Sequence, residues 1–127
     1  MRKRIFIIGV KKGFPLKHDI KEMFHLDTYK QTTTLSAFFG KQFEKDTAYT
    51  IRCGGRRSDI NNRHNWDGYI VDGEEYRLTI DDALKLQGFS NFKLIGTQGQ
   101  KWKMLGNTIP TRFTEIIGKQ LKYIMGA

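Results

Sequence analysis

Cysteine occurs once in this 127-residue chain, at Cys53. One thiol excludes an internal disulfide framework and a cysteine-rich zinc site. His18, His25 and His64 lack metal-ligand spacing, so no metal is expected. Long hydrophobic runs are missing as well. The longest, Ile5 to Ile8, is far short of the ~20 apolar residues of a membrane span, so no membrane partner is expected. The basic Met1-Arg2-Lys3-Arg4 start is followed by too few apolar residues before Lys11-Lys12 to form a signal-peptide core, which makes a cytoplasmic location the expectation. Internal repeats and low-complexity tracts are absent too. Acidic residues are scarce, with 13 Asp and Glu against 22 Lys and Arg, leaving a formal net charge of +9. Aromatics reach 13%, enough apolar material to argue against general disorder, and the length suits one ordinary domain or two small lobes.

A basic excess on a small chain points first to a polyanion, because each Lys or Arg near a phosphate releases condensed counterions. Its distribution sharpens the reading. Between Arg52 and Arg63 stand Arg52, Arg56, Arg57 and Arg63 against the single acid Asp59, with Gly54-Gly55 among them. An arginine-loaded, glycine-punctuated segment reads as a loop able to approach a nucleic-acid backbone or base edge.

The local patterns predict mixed α and β structure. Arg4 to Val10 reads as a strand buried on both faces, and Thr47 to Arg52 as a second strand ended by Gly54-Gly55. Leu35, Phe38 and Phe39 before Gly40 suggest a short helix or turn with an apolar face. Tyr69-Ile70-Val71 and Glu75 to Leu78, joined by Asp72-Gly73, read as a hairpin. Thr79 is a good N-cap for a helix with Asp81 and Asp82 in its first turn, and Gly88 stops it. A last helix starts near Pro110 and carries Phe113, Ile116, Ile117, Leu121 and Ile124 on one stripe. The apolar strand at one end and the amphipathic helix at the other both look built to pack against something more.

Three ordered segments resemble the C-terminal part of bacterial DNA (cytosine-5)-methyltransferases. Arg2-Lys3-Arg4-Ile5-Phe6-Ile7-Ile8-Gly9 is similar to the family's Arg-x-Arg strand motif, without its preceding glutamine. Arg77-Leu78-Thr79, followed by Leu86-Gln87-Gly88-Phe89, matches the signature that follows the target-recognition region. Leu105-Gly106-Asn107-Thr108-Ile109-Pro110 resembles the Gly-Asn-(Ser/Thr) motif leading into a final helix. Thr50-Ile51-Arg52-Cys53-Gly54-Gly55-Arg56 looks like a target-recognition loop of the family. The departures are equally specific. Neither proline precedes a cysteine, no glutamate precedes an asparagine, and the Phe-x-Gly-x-Gly cofactor loop is missing.

The resemblance therefore implies the recognition part of an S-adenosylmethionine-dependent enzyme of restriction-modification type. Residues 1–12 would form a strand of the catalytic lobe, 13–104 a small target-recognition domain with hairpins, and 105–127 the terminal motif and helix returning to the catalytic lobe. The partners would be double-stranded DNA and a complementing methyltransferase chain that supplies the nucleophile, the acid and the cofactor loop. Without that chain no methyl transfer is expected. The alternative is a nonenzymatic basic DNA-binding module or a degenerate methyltransferase fragment.

Residue roles follow from the resemblance in the same conditional sense. The target cytosine must be flipped from the duplex before a thiolate adds to C6. Arg4 would then donate to the cytosine O2 with Arg2 in support, unless both belong to a solvated terminus. Arg52, Arg56 and Arg57 are candidates for bidentate readout of guanine or for phosphate contacts alone. Gly54 and Gly55 would permit close approach, and Thr50 would meet a base methyl or a phosphate. Arg77 would bridge to the DNA backbone or the recognition loop, or form an ion pair with Glu74 or Glu75. Asn107 and Thr108 would both donate to the carboxylate of S-adenosylmethionine, unless Thr108 only caps the helix that follows. Cys53 is expected to be packing or incidental rather than reactive.

Overall fold

The computed structural model describes residues 7–23 and 33–126. They divide into two compact units, residues 33–111 and a second unit of residues 7–23 with 112–126.

The larger unit is organised around a two-stranded antiparallel hairpin, β1 (Gly68–Val71) and β2 (Glu74–Arg77), with Tyr69 opposite Tyr76 and Val71 opposite Glu74. Asp72 and Gly73 join the strands with φ of 53° and 81°. Two consecutive positive φ values make the primed turn whose twist matches the strands, so the Asp-Gly expectation holds. The free edge of β1 is met by Phe43, which forms an isolated bridge with Val71. Before the hairpin, α1 (Leu35–Phe39) is capped by Thr34 and closed by Gly40 at φ 66°.

After the hairpin, α2 (Ile80–Leu86) starts at Thr79, whose hydroxyl accepts from the Asp82 amide while the Asp82 carboxylate accepts from the Thr79 amide. This reciprocal cap satisfies two donors that the helix itself leaves orphaned. At the other end, the Phe89 amide donates to Leu84 and the left-handed Gly88 amide donates to Lys85. These are the paired bonds of a Schellman stop. Helix α3 (Gln98–Asn107) has a second reciprocal cap, Thr97 with Gln100. Leu35, Phe43, Ile51, Trp66, Tyr69, Val71, Leu78, Ala83, Leu84, Trp102 and Leu105 form one buried cluster across these elements.

Helix α4 (Thr111–Met125) begins right after Pro110, as expected. Its apolar stripe is unevenly used, with Ile124 fully buried and Phe113 exposed. In the smaller unit the Lys17 amide donates to the Ile124 carbonyl, and the His18 ring stacks on Tyr123 at 4.1 Å.

Two expected strands need correction. Ile7 to Val10 is irregular and Ile7 is 92% exposed. The run is apolar, but among the described residues no strand offers it a hydrogen-bonded edge, and a strand without one leaves its backbone groups to water. Arg4, Ile5 and Phe6 lie outside the described residues. Thr47 to Arg52 is also irregular. Its alternation is met by tertiary contacts instead of a ladder, with Ile51 in the core and the Tyr49 amide donating to the Tyr69 hydroxyl at 2.8 Å.

Candidate nucleic-acid interface

The arginine-rich segment folds as an irregular loop from Arg52 to His64, fastened to the core at several points. The first is Gly106, in the last turn of α3. A Cβ added there would lie 2.5 Å from the Arg52 carbonyl carbon and 2.8 Å from the Cys53 Cα. Only a glycine lets the loop backbone rest on the helix at that distance. The Cys53 thiol donates to Asn107 Oδ1 at 3.2 Å and faces the Lys103 carbonyl at 3.6 Å. At the next residue, the indole of buried Trp66 donates to the Gly54 carbonyl at 2.9 Å, while Gly55 adopts φ 77°.

Asp67 supplies a further anchor. It is 1% exposed, and its two carboxylate oxygens each accept from the Arg57 amide at 3.2 Å. Arg77 Nη1 reaches the same carboxylate at 3.3 Å and donates to the Ser58 carbonyl at 2.8 Å. Its Nε donates to Glu75 at 2.7 Å. The guanidinium of Arg77 thus bridges β2 to the loop and also makes an ion pair with Glu75. Gly68 leaves room for it, since a Cβ there would sit 2.9 Å from Arg77 Nη1. Asn65, also buried, holds the far side of the loop by donating to the Ile60 and Gly68 carbonyls.

The arginine side chains differ in their surroundings. Arg52, Arg57 and Arg63 are exposed. Arg56 is half-buried, its guanidinium 4.7 Å above the Trp102 ring, a cation–π placement that shares its charge with the core aromatic. Trp102 in turn meets Trp66 edge to face at 5.4 Å. Thr50 lies exposed just ahead of the loop. Arg2 and Arg4 lie outside the described residues.

Asn107 and Thr108 stand at the rim of an open groove of about 870 Å³, floored by Leu84, Phe89, Leu94 and Leu105. The thiol of Cys53 engages Asn107 Oδ1, which turns the amide nitrogen to other acceptors. Thr108 closes α3 instead of capping α4, and its hydroxyl donates to the Met104 carbonyl at 2.7 Å. A donor amide beside an apolar groove fits a ligand that pairs a carboxylate with an apolar or planar body. Gln87, from the Leu-Gln-Gly-Phe signature, is buried beneath this region and donates to the Leu105 carbonyl at 2.7 Å. Asp67 is a residue of this region that the sequence did not single out. For α3 the signal was present in Thr97 with Gln100 three residues on, the spacing of a capping box, whereas Asp67 has no local signature.

Two tyrosines and an aspartate record how closed this scaffold is. Burial pushes the Tyr69 hydroxyl up to about 12, against the bond from the Tyr49 amide, which lowers it. Burial and its bond to Asp82 push Tyr76 up to about 12. Burial works against the Asp82 carboxylate, but bonds from Tyr76 and Thr79 outweigh it and hold Asp82 below its usual value. Among the described residues no cluster of His, Cys, Asp and Glu is arranged to hold a metal, and no helix is long and apolar enough to cross a membrane.

Comparison with known proteins gives these parts a family. The chain is 35% identical over 54 residues to the type II methyltransferase M.AplI of Arthrospira platensis, a stretch covering 42% of this chain and 16% of that protein. No solved structure matches it. Residues 28–123, well over half of the chain, match the family described as C-5 cytosine-specific DNA methylase, and the chain belongs to that family.

Proposed function

We propose that this chain is the DNA-recognition part of a DNA (cytosine-5)-methyltransferase that modifies cytosine within a specific duplex sequence, as in a restriction-modification system. Catalysis requires a complementing region with the cysteine nucleophile, the acid and the cofactor loop. One observation carries the reading: the arginine-bearing loop is seated on Gly106 and bonded through Cys53 to Asn107. The segment suited to DNA and the segment suited to the methyl donor are thereby fastened together within a family-matched unit.

In this reading the exposed Arg52, Arg57 and Arg63 meet the duplex, with Thr50 beside them and Gly54 and Gly55 allowing close approach. Arg77 acts from below, holding the loop through Ser58. Asn107 offers its amide N–H to a carboxylate at the groove, and S-adenosylmethionine, when bound, supplies the methyl group. Arg4, supported by Arg2, donates to the O2 of the flipped cytosine as charge develops on the ring.

The test is to mix or coexpress the chain with a methyltransferase segment carrying the upstream motifs and follow labelled-methyl transfer to DNA. The expected result is transfer by the pair and none by this chain alone. Duplex binding without transfer in any pairing would leave a nonenzymatic DNA-binding module, and no duplex binding at all would end the reading.

A further inference from the structure

We infer that Asp67 is a positioning residue that presents Arg57 as the base-reading arginine of the loop, while Arg56 is held back from that role. The inference rests on the proposed DNA-recognition function and goes beyond it by separating arginines that the sequence leaves equivalent.

Arg57 has φ 63°, a left-handed conformation that is unfavourable for a non-glycine residue. The surroundings must stabilise it, and Asp67 does so by taking the Arg57 amide between both carboxylate oxygens. That carboxylate is almost wholly buried and is itself fixed by Arg77, which also grips the next carbonyl, Ser58. The backbone on both sides of the Arg57 Cα is therefore tied to the core while the side chain stays exposed. A long cationic side chain loses conformational freedom when it engages a target, and fixing its root in advance lowers that cost. Bidentate recognition of a guanine edge depends on such placement, whereas a phosphate contact tolerates a loose cation. Backbone strain held by a buried network is characteristic of functional positions.

Arg56 is placed differently. Its guanidinium lies over Trp102, so reaching a base edge would cost it that contact. Arg52 and Arg63 are exposed, but the Arg52 backbone is seated by contact with Gly106 and not through its own amide, and Arg63 Nε donates to the neighbouring His64 ring at 3.0 Å.

The experiment selects bound sequences from a random duplex pool with the wild-type chain, Arg57→Lys, Asp67→Asn and Arg56→Ala, at one salt concentration. Wild type is expected to enrich a preferred sequence containing a guanine. Arg57→Lys keeps the charge but loses the fork, and should reduce preference at one base pair by about 5- to 150-fold with little change elsewhere. Asp67→Asn should relax the same position, and Arg56→Ala should leave that position's preference intact. A purely structural role for Asp67 would lower stability without singling out one base pair. Because Asp67→Asn could unfold the chain, hydrogen exchange of the wild-type Arg57 amide provides a reading without mutation: exchange slower than at the Arg52 amide is expected. Fast exchange at Arg57, preference unchanged in Arg57→Lys or in folded Asp67→Asn, or preference erased by Arg56→Ala would each overturn the inference. A wild-type chain that binds no duplex, or binds all duplexes alike, would instead overturn the recognition function on which it rests.

Discussion

Replacing Gly106 by alanine tests whether the recognition loop is truly seated on α3, and the sign of the result decides. An added Cβ would stand 2.5 Å from the Arg52 carbonyl carbon, against about 3.4 Å at the near limit of ordinary contact. The neighbours are backbone atoms, which cannot swing aside as a side chain can. The Cys53 nitrogen is closer still, so the loop must retreat by about an ångström or more, enough to break the Cys53 thiol bond to Asn107, now 3.2 Å long. Overpacking of this kind costs ~1–3 kcal/mol. Alanine returns up to ~1 kcal/mol of helix propensity, so a net loss of up to about 2 kcal/mol is expected. Gly99 in the same helix has nothing within 4 Å of its virtual Cβ, so Gly99→Ala should be neutral or stabilising by up to ~1 kcal/mol. Urea unfolding followed by circular dichroism compares the two, and the rate of thiol labelling at Cys53, the only cysteine, reports the loop directly. If Gly106→Ala matched Gly99→Ala in stability and left Cys53 labelling unchanged, the close seating would be refuted.

Further outcomes follow from the caps, the turn and the charge. Asp82 has its pKa lowered in the folded state, so its contribution to stability is full above its usual value and drains away as pH falls through the lowered one. The stability gap between wild type and Asp82→Asn should therefore narrow on acidification, and a gap that stays constant as pH falls through the carboxylate range would contradict the assignment. Thr97→Ala removes the α3 N-cap and should cost ~1 kcal/mol, measured by the same urea titration. Gly73→Ala places a side chain at φ 81° and should destabilise by ~1 kcal/mol or more, with loss of hairpin signals in NMR as the check. Duplex binding should weaken with salt, and phosphate contacts by the two remaining exposed arginines, Arg52 and Arg63, would give a log–log slope of about −2; affinity independent of salt would remove the electrostatic basis of the interface.

What the sequence revealed follows from the range of the forces involved. Asp72-Gly73, Thr79 with Asp82, and Gly88 are short-range instructions, each complete within a few residues, and each is realised in the hairpin and α2. Pro110 marks the start of α4 in the same way. Alternation at Thr47 to Arg52 misled because Tyr49 and Ile51 answer to Tyr69 and the core, partners distant in the chain. Helix α3 escaped notice because Gly99 and several polar residues dilute its apolar face, although its Thr97 and Gln100 cap was visible. In the candidate site, the arginine segment and the Gly-Asn-Thr string stood out by composition and resemblance. Their physical connection through Gly106 and the anchoring of Arg57 by Asp67 depend on contacts between residues far apart in the chain, which no local pattern encodes.

The pairing of Trp66 with Trp102 has an optical consequence. The chain holds two tryptophans, and both sit in the buried cluster, edge to face, with Arg56 lying over one of them. All indole emission therefore originates directly beneath the arginine loop. A ligand that draws Arg56 off its ring, or lifts Gly54 away from the Trp66 indole, changes the fluorescence of the unlabelled protein. The loop carries its own reporter, able to time an encounter with DNA in a stopped-flow instrument without any dye on either molecule.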